Sequence, residues 1–242
     1  MIEAALQWLK DNVNPNVVEV DGKKFSKDNF RIIEDLPDLA SALEVATLSG
    51  LADLVKAKFE SIDDTFLAHV VSPTQVDVIG SKSDEHGRRL RFVTAKANPR
   101  TGIMTSEQLG VFHDHNDFVI GLQQHFVPND DTKYLLTLAA NLTDEKVVTS
   151  TDDGITQTVG TRAGVTWKAT TEVKSRVKLA PYRTFTEVAQ PESTFILRMR
   201  SPKDPGVPKL ALFDADGGAW RKEAMDNIAR FLSTAIDITV IS

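Results

Sequence analysis

The segment from residue 146 to residue 199 constrains the fold more than any other part of the chain, because β-branched residues dominate it. Asp153-Gly154 and Ala163-Gly164 interrupt the segment, and glycine accepts the positive φ that tight hairpin turns need. The pattern predicts strands of a sheet, with a long β-hairpin over residues 147–166 that turns at Asp152, Asp153 and Gly154. This hairpin carries few large apolar side chains, so we expect it to project from the core.

Both types of secondary structure flank this segment. Apolar residues recur at helical spacing in some stretches and partly alternate with polar residues in others. The predicted helices cover residues 2–13, 39–59, 115–126, 132–142 and 216–232, and the predicted strands cover residues 17–25, 65–72, 75–80, 89–97 and 209–213. Residues 132–142 fit either type, and the leucines on one helical face favour a helix. Gly50 interrupts the second helix and would mark a break or a close helix contact.

The order of these elements indicates the fold class. Helices and strands follow one another in blocks, which is typical of an α+β fold rather than of alternating βαβ units. We expect mainly antiparallel sheets with several flanking helices and a long β-hairpin. The 242 residues are predicted to form a single α+β domain, in which residues 1–38 make an N-terminal helix and hairpin arm.

The charge balance limits the classes of partner. The chain has 28 Lys and Arg residues against 34 Asp and Glu residues, a formal net charge of -6, which lacks the electrostatic footprint of a general DNA-binding protein. The absence of cysteine excludes disulfides, thiolate metal sites and cysteine nucleophiles. The first residues lack the pattern of a signal peptide, and no apolar run approaches the roughly 18 residues of a membrane span. We therefore expect a cytoplasmic protein with no membrane partner.

A run of alternating cations is the main candidate binding feature. Lys174, Arg176 and Lys178 alternate with mostly apolar residues, so an extended strand places all three cations on one face. Together with Arg183 they form the candidate anion-binding site, where the arginines would grip a phosphate in bidentate fashion and the lysines would act as point charges. The structural alternative is a solvated strand face, or an edge that lysine protects against aggregation.

Three further groups could carry chemistry, and each has a stronger structural interpretation. His113 and His115 are metal-ligand types, but their spacing suits the entry of a helix better than a ligand set. Asp152 and Asp153 could act as paired carboxylates, but Asp-Gly is first of all hairpin-turn chemistry. Gly217-Gly218 could offer N–H groups to a phosphate, but the adjacent aspartates would repel an anion. The sequence thus predicts no catalytic residue, no metal site and no cofactor.

Several stretches together resemble the YfdQ-like family, a group of phage- and prophage-encoded proteins of unknown function. They are "TSTDDGITQTV", "LAPYRTFTEVAQPESTFILR" and "ALFDADGGAWRKEAMDNIARFL", with "TLSGLADLVK" and "NDFVIGLQQHF" upstream. The resemblance runs from about Thr47 to the last helix. It implies a small non-virion protein made in an infected bacterium and often encoded near replication and recombination genes. It supplies no catalytic residues.

These observations favour a non-catalytic bacteriophage accessory protein of the host cytoplasm, made early in infection and acting in DNA metabolism or counter-defence. We expect it to self-associate into a homo-oligomer, since projecting strands usually find a partner edge. We also expect it to bind an anionic partner, either nucleic acid or a nucleotide. One alternative is a metal-dependent phosphodiesterase or nuclease that uses Asp152, Asp153, His113 and His115. Another is an inhibitor of a host protein or an oligomeric scaffold.

Overall fold

The protein divides into two compact units, residues 1–40 and residues 41–242. The computed structural model describes residues 17–20, 23–26, 32–33, 41–63, 65–83, 87–98, 101–102, 104–105, 108–142, 146–150, 157–163, 166–201 and 207–242. In the first unit, β1 (Val17–Val20), β2 (Lys23–Ser26) and β3 (Ile32–Ile33) pair antiparallel in chain order. The hairpin predicted over residues 17–25 is therefore present. Its turn residues and the helix predicted over residues 2–13 lie outside the described residues.

The second unit contains a five-stranded mixed sheet. The central strands are β5 (Phe66–Ser72), β6 (Gln75–Gly80) and β7 (Arg91–Lys96), which pair antiparallel as predicted. The edge strands are β4 (Leu43–Val45), parallel to β7, and β14 (Thr239–Ile241), parallel to β5. The sequence pattern did not reveal these two short strands, because three residues are too few to show a period of two.

Two helices cover one face of this sheet, α1 (Leu48–Lys56) and a C-terminal helix, Trp220–Ala235. The core between them consists of aliphatic side chains at alternate strand positions and on the inner helix faces. Its main members are Leu48, Leu51, Val55, Val70, Val76, Val78, Val93, Ile228 and Leu232.

The start of α1 corrects the prediction of a helix over residues 39–59. Leu43 lies in β4, and Thr47 caps the helix by accepting a hydrogen bond from the Gly50 N–H at 3.0 Å. Gly50 therefore lies in the first turn and marks neither a break nor a helix contact. The apolar spacing across residues 43–55 is fortuitous, because a strand and a helix contribute to it in succession.

A second layer combines an antiparallel sheet with two helices. The sheet has the order β11 (Arg176–Leu179), β12 (Ser193–Arg200) and β13 (Lys209–Asp214). The helices α2 (His115–His125) and α3 (Asp130–Ala140) confirm the two predicted there. They pack on the inner sheet face through Phe118, Leu122, Phe126, Leu135, Val177, Leu179, Phe195, Leu197 and Leu212.

The β-branched segment contains the long hairpin that the sequence predicts. β8 (Lys146–Ser150), β9 (Gln157–Ala163) and β10 (Thr166–Val173) form an antiparallel sheet in the order β10-β9-β8. The tip with Asp152, Asp153 and Gly154 lies outside the described residues. The buried Gln157 side chain joins this sheet to β12, since its amide donates to the Met199 carbonyl and accepts from the Met199 N–H, both at 3.0 Å.

Together, the sheets and the helices that cover them form an α+β fold, as predicted.

The last helix, α4 (Trp220–Ala235), begins later than the predicted Asp216. Residues 216–219 form a turn, because Gly217 and Gly218 adopt φ of 65° and 84°, outside the helical region. The inner face of the helix is apolar, with Ala224, Ile228 and Leu232 fully buried. Among the described residues, no helix is both long and apolar enough to span a membrane.

Candidate functional site

The alternating cations lie on the outer face of the β11–β13 sheet and just before it. Lys174, Arg176 and Lys178 are exposed, whereas Val177 and Leu179 between and after them are buried in the core. From Arg176 to Leu179 this alternation follows from the period of two in an extended chain. Lys174 precedes β11 and follows β10, which ends at Val173, so the single strand predicted for all three cations is interrupted at residues 174 and 175. Burial of the apolar set in the core fixes the register and directs the cations outward.

Strand pairing brings more cations to the same outer face. Side chains directly opposite each other in an antiparallel pair point to the same side of the sheet. Arg176 is opposite Ile196, which is opposite Phe213. Alternation along β12 then places Arg198 and Arg200 on this side as well. We call this surface the basic face and define it by the outward residues that are exposed or half-buried, Arg176, Lys178, Thr194, Ile196, Arg198, Arg200, Lys209 and Phe213. Ala211 points the same way but is fully buried.

Aromatic rings flank the basic face beside β13. Residues 110–113 pair with this strand, since the Gly110 N–H donates to the Leu212 carbonyl at 2.7 Å and the His113 N–H to the Leu210 carbonyl at 2.8 Å. Gly110 has φ of 86°, and a Cβ there would meet the Phe213 ring at 3.4 Å. The Phe112 and Phe213 rings lie 6.2 Å apart between centroids, nearly edge to face.

The rings and cations of the basic face are in direct contact. The Arg200 guanidinium carbon lies 4.2 Å from the centroid of the Phe112 ring, within the range of a cation–π interaction. Phe213 is 36% exposed although it is a large apolar residue. The surface therefore offers positive charge and accessible aromatic area side by side.

The N-terminal turn of α3 closes the outer edge of β11. The Lys178 N–H donates to the Asp131 carboxylate at 2.6 Å, and the Lys178 carbonyl accepts from the Asn129 amide at 3.0 Å. The Lys174 N–H donates to the Tyr134 hydroxyl at 2.9 Å. Side chains thus occupy backbone groups that an exposed edge would offer to another strand.

Asp131 also neutralises one cation of the stripe. Its carboxylate lies 2.5 Å from the Lys174 ammonium. Burial raises the pKa of Asp131, but the hydrogen bonds from Lys174 and the Lys178 N–H outweigh burial, and the pKa falls below its ordinary value. Lys209 is similarly paired with Asp114 at 2.9 Å. Within the described part of the chain, no ion pair engages the Arg176 or Lys178 side chain.

Arg183 does not join the other three cations on this surface. Its side chain is only 4% exposed, and its guanidinium lies 3.1 Å from Asp214, 3.8 Å from Asp216 and 3.9 Å from the Trp220 ring centroid. It also donates to the Ser193 hydroxyl. Burial lowers the pKa of Arg183, and the two carboxylates oppose that change. Arg183 is therefore part of a buried ion-pair network, and the four-residue site divides into an exposed stripe and this network.

The other candidate groups are placed as follows. The His113 backbone pairs with Leu210, and, across the residues that can be described, no three His, Asp or Glu side chains come together as a metal site. The Gly218 N–H donates to the Asp216 carboxylate at 2.7 Å, so this amide already has an acceptor. Asp152 and Asp153 lie outside the described residues.

The sequence analysis did not find the part of the basic face that β12 and β13 contribute. Arg198 and Arg200 stand two residues apart in "STFILRMR", which is the same alternation as in β11, and that spacing could have revealed them. Their neighbourhood with Arg176 depends on the register between strands, which the sequence alone does not show. Phe112 precedes a helix and gave no signal.

Comparisons with known proteins do not identify a relative from which a function of this site could be inferred. No protein-family model, curated protein or solved structure matches the chain. The resemblance to the YfdQ-like family stays a prediction. The fold and the site define an α+β protein with a basic sheet face that aromatic rings flank.

Proposed function

We propose that the protein binds single-stranded nucleic acid and that the basic face is its contact surface. The observation that carries this proposal is the cross-strand row of Arg176, Ile196 and Phe213 on the outer sheet face. The row sets a cation, an aliphatic side chain and an exposed ring side by side. Arg200 and Phe112 repeat the combination of cation and ring nearby.

Two contributions to the binding free energy favour a single strand over a duplex. Cations follow the phosphates, and accessible rings stack on unpaired bases, which a duplex keeps inside its own stack. Alternate residues of a strand are about 6.7 Å apart, and neighbouring strands are about 4.8 Å apart, so the face has the dimensions of a few nucleotides. The net charge of -6 disfavours the many phosphate contacts that non-specific duplex binding requires.

The biological setting of the proposal comes from the resemblance to phage-encoded proteins. We place this binding in an accessory protein of the infected bacterium's cytoplasm, acting in DNA metabolism or counter-defence. The role is binding without turnover. A nucleotide ligand, a host-protein partner and metal-dependent cleavage are the competing functions. Of these, cleavage is detected as shortening of the oligonucleotide.

The test is fluorescence anisotropy with labelled oligonucleotides of about 12 nucleotides, within the range of known site sizes. Single-stranded DNA, duplex DNA and single-stranded RNA are titrated with wild type, with Arg176→Glu/Lys178→Glu and with Phe213→Ala. The control variant, Lys222→Glu/Arg230→Glu, makes the same charge change on α4, which packs on the other sheet. Gel analysis in Mg²⁺ and Mn²⁺ monitors cleavage.

Wild type is expected to bind single strands more tightly than duplex. The double charge reversal should weaken binding at least about tenfold and reduce the slope of log K against log salt by about 1.4, the loss of two phosphate contacts. Phe213→Ala should weaken binding by about 1–3 kcal/mol with little change in that slope. Equal loss in the α4 control, or no binding by wild type, would refute the proposal. Cleavage of the oligonucleotide would favour the nuclease.

A further inference from the structure

A cavity of about 490 Å³ lies between the two cores of the second unit. Its walls include His125 at the end of α2, Tyr182 and Arg183 on the segment after β11, and Trp220 at the start of α4. The volume is within the range of small-molecule sites. None of these residues belongs to the basic face.

The segment after β11 forms one wall of the cavity and holds it in place. The Tyr182 N–H donates to the His125 carbonyl at 2.8 Å, and the Thr184 hydroxyl donates to the Pro73 carbonyl beside β5 and β6. Phe185 is buried in the core of the five-stranded sheet. One short segment therefore connects both layers, so the cavity is a fixed feature of the fold.

The walls carry hydrogen-bonding groups on apolar surroundings. Five threonines line the cavity, with Thr101 and Thr186 exposed and Thr184 buried. A threonine hydroxyl can donate or accept. Ring side chains of His125, Tyr182 and Trp220 supply flat surface. This combination of flat apolar walls and a few hydroxyls is typical of sites that orient a small polar ligand.

Arg183 is a buried cation of the cavity wall that is already paired. Its two terminal nitrogens are engaged by Asp214, Ser193 and Asp216, whereas Nε has no acceptor among the described residues. Because Nε is itself buried and the terminal nitrogens are occupied, Arg183 does not offer a free charge to a molecule in the cavity.

The charges around the cavity balance. Arg183 in the wall is paired with Asp214 and Asp216. The guanidinium carbon of Arg221 lies 5.5 Å from the centroid of the Trp220 ring. With two cations and two carboxylates, an anion would gain no net attraction, and a charged ligand would lose hydration without a partner. The site therefore suits an uncharged ligand.

We infer that the cavity binds an uncharged planar heterocycle with a hydrogen-bond acceptor, a ligand of the nucleobase or nucleoside class. The heterocycle lies between the ring and threonine side chains and accepts hydrogen bonds from the threonine hydroxyls. This site is separate from the basic face and does not depend on the proposed binding of nucleic acid.

The test combines thermal shift with titration calorimetry on the full chain. The ligands are four uncharged nucleosides, their 5′-monophosphates, and ribose. Thr186→Trp and Asn98→Trp each fill the cavity from an exposed position that has no hydrogen bond to a described side chain. Thr137→Trp, at an exposed position of α3 outside the cavity, is the matched control. Arg176→Glu/Lys178→Glu checks that the basic face is not involved.

At least one nucleoside is expected to raise the Tm by about 3 °C at saturating concentration. Both cavity-filling variants should lose this shift and the calorimetric signal, whereas Thr137→Trp and the double charge reversal should keep them. The inference is overturned if no nucleoside binds, if the filled variants bind as wild type, or if ribose or a monophosphate binds more tightly than every nucleoside.

Discussion

Asp216 connects β13 to α4 through a small buried network. Its carboxylate accepts hydrogen bonds from the Gly218 N–H and the Ser193 hydroxyl and lies 3.8 Å from the Arg183 guanidinium. Burial raises the pKa of Asp216, but these donors outweigh burial and lower the pKa below its ordinary value of 3.8. The ionised form is therefore tied to the folded state.

Asp216→Asn should lower the free energy of unfolding by about 2 kcal/mol at pH 7, since hydrogen bonds to a charged group are lost. A lowered pKa stabilises the fold above pH 3.8, and the stabilisation is lost as the pH falls through the folded pKa. The difference between wild type and variant should thus be constant above about pH 5 and shrink below pH 3.8. Urea denaturation across this range measures it.

Asp226→Asn is the control for this prediction. Asp226 pairs with the exposed Lys222 on α4, and an exposed pair contributes about 0.5 kcal/mol. If Asp216→Asn costs no more than the control, or if its cost does not change with pH, the network does not stabilise the fold.

At the level of secondary structure, some helix ends and strand edges receive their hydrogen bonds from residues that are distant in the sequence. Glu187 follows β11 in the chain but lies at the start of α1, where it accepts hydrogen bonds from the Leu48 N–H at 3.0 Å and the Ser49 N–H at 2.8 Å. Its negative charge also opposes the positive end of the helix dipole. The α1 helix thus depends on a contact about 138 residues away in the chain.

Glu187→Gln should lower the free energy of unfolding by about 1–2 kcal/mol, because one acceptor and the charge are lost at the helix N-terminus. Chemical denaturation followed by circular dichroism measures the loss. Glu192→Gln, at an exposed position of the same segment, should change stability by less than about 0.5 kcal/mol. Equal effects of the two variants would show that Glu187 does not cap the helix.

The ion pair between Asp131 and Lys174 at the edge of β11 leads to a prediction about binding. Asp131→Asn removes the carboxylate that pairs with Lys174 and keeps an acceptor for the Lys178 N–H. Affinity for a single-stranded oligonucleotide should rise about two- to fivefold, since an ion pair of this kind is worth about 0.5–1 kcal/mol. Asp130→Asn, whose side chain is 99% exposed, should change anisotropy titrations less than twofold. Weaker binding by Asp131→Asn would contradict the expectation that Lys174, once unpaired, adds to the cations of the basic face.

The parts of the fold that the sequence predicted are those with local signals. The hairpin segment, the β5–β7 meander and α2 carry their period and their turn residues within one stretch. The start of α1 was predicted wrongly. Thr47 caps the helix, but apolar residues before it continue the helical spacing into β4, so the spacing gave no sign of the cap. Arg183 was misplaced because its partners Asp214 and Asp216 are distant in sequence, and the basic face needed the register of three strands.

At the scale of the whole molecule, self-association stays a prediction. β8 lies at the end of the β10-β9-β8 order, and an edge strand is a common site for pairing between chains. Light scattering at micromolar concentration is expected to give the mass of a closed oligomer rather than of one chain. A constant single-chain mass over a tenfold range of concentration would exclude this expectation.

The net charge of the protein is negative, and the proposed contact surface is a local exception. Cations of the basic face come from β11, β12 and β13, and the rings beside them come from β13 and from the segment before α2. A protein of net charge -6 can therefore present one basic surface while its remaining surface repels nucleic acid. Binding is expected to be confined to this face.

The most direct test of this claim is photocrosslinking of a single-stranded oligonucleotide that contains halogenated uracil, followed by mass spectrometry of the linked peptides. Because the bases are expected to stack on the accessible rings, crosslinks should form at Phe213 and Phe112. They should fall at least about tenfold in Arg176→Glu/Lys178→Glu, measured at equal protein concentration. Crosslinks confined to α4 or to the five-stranded sheet, with undiminished yield in the double variant, would contradict the account.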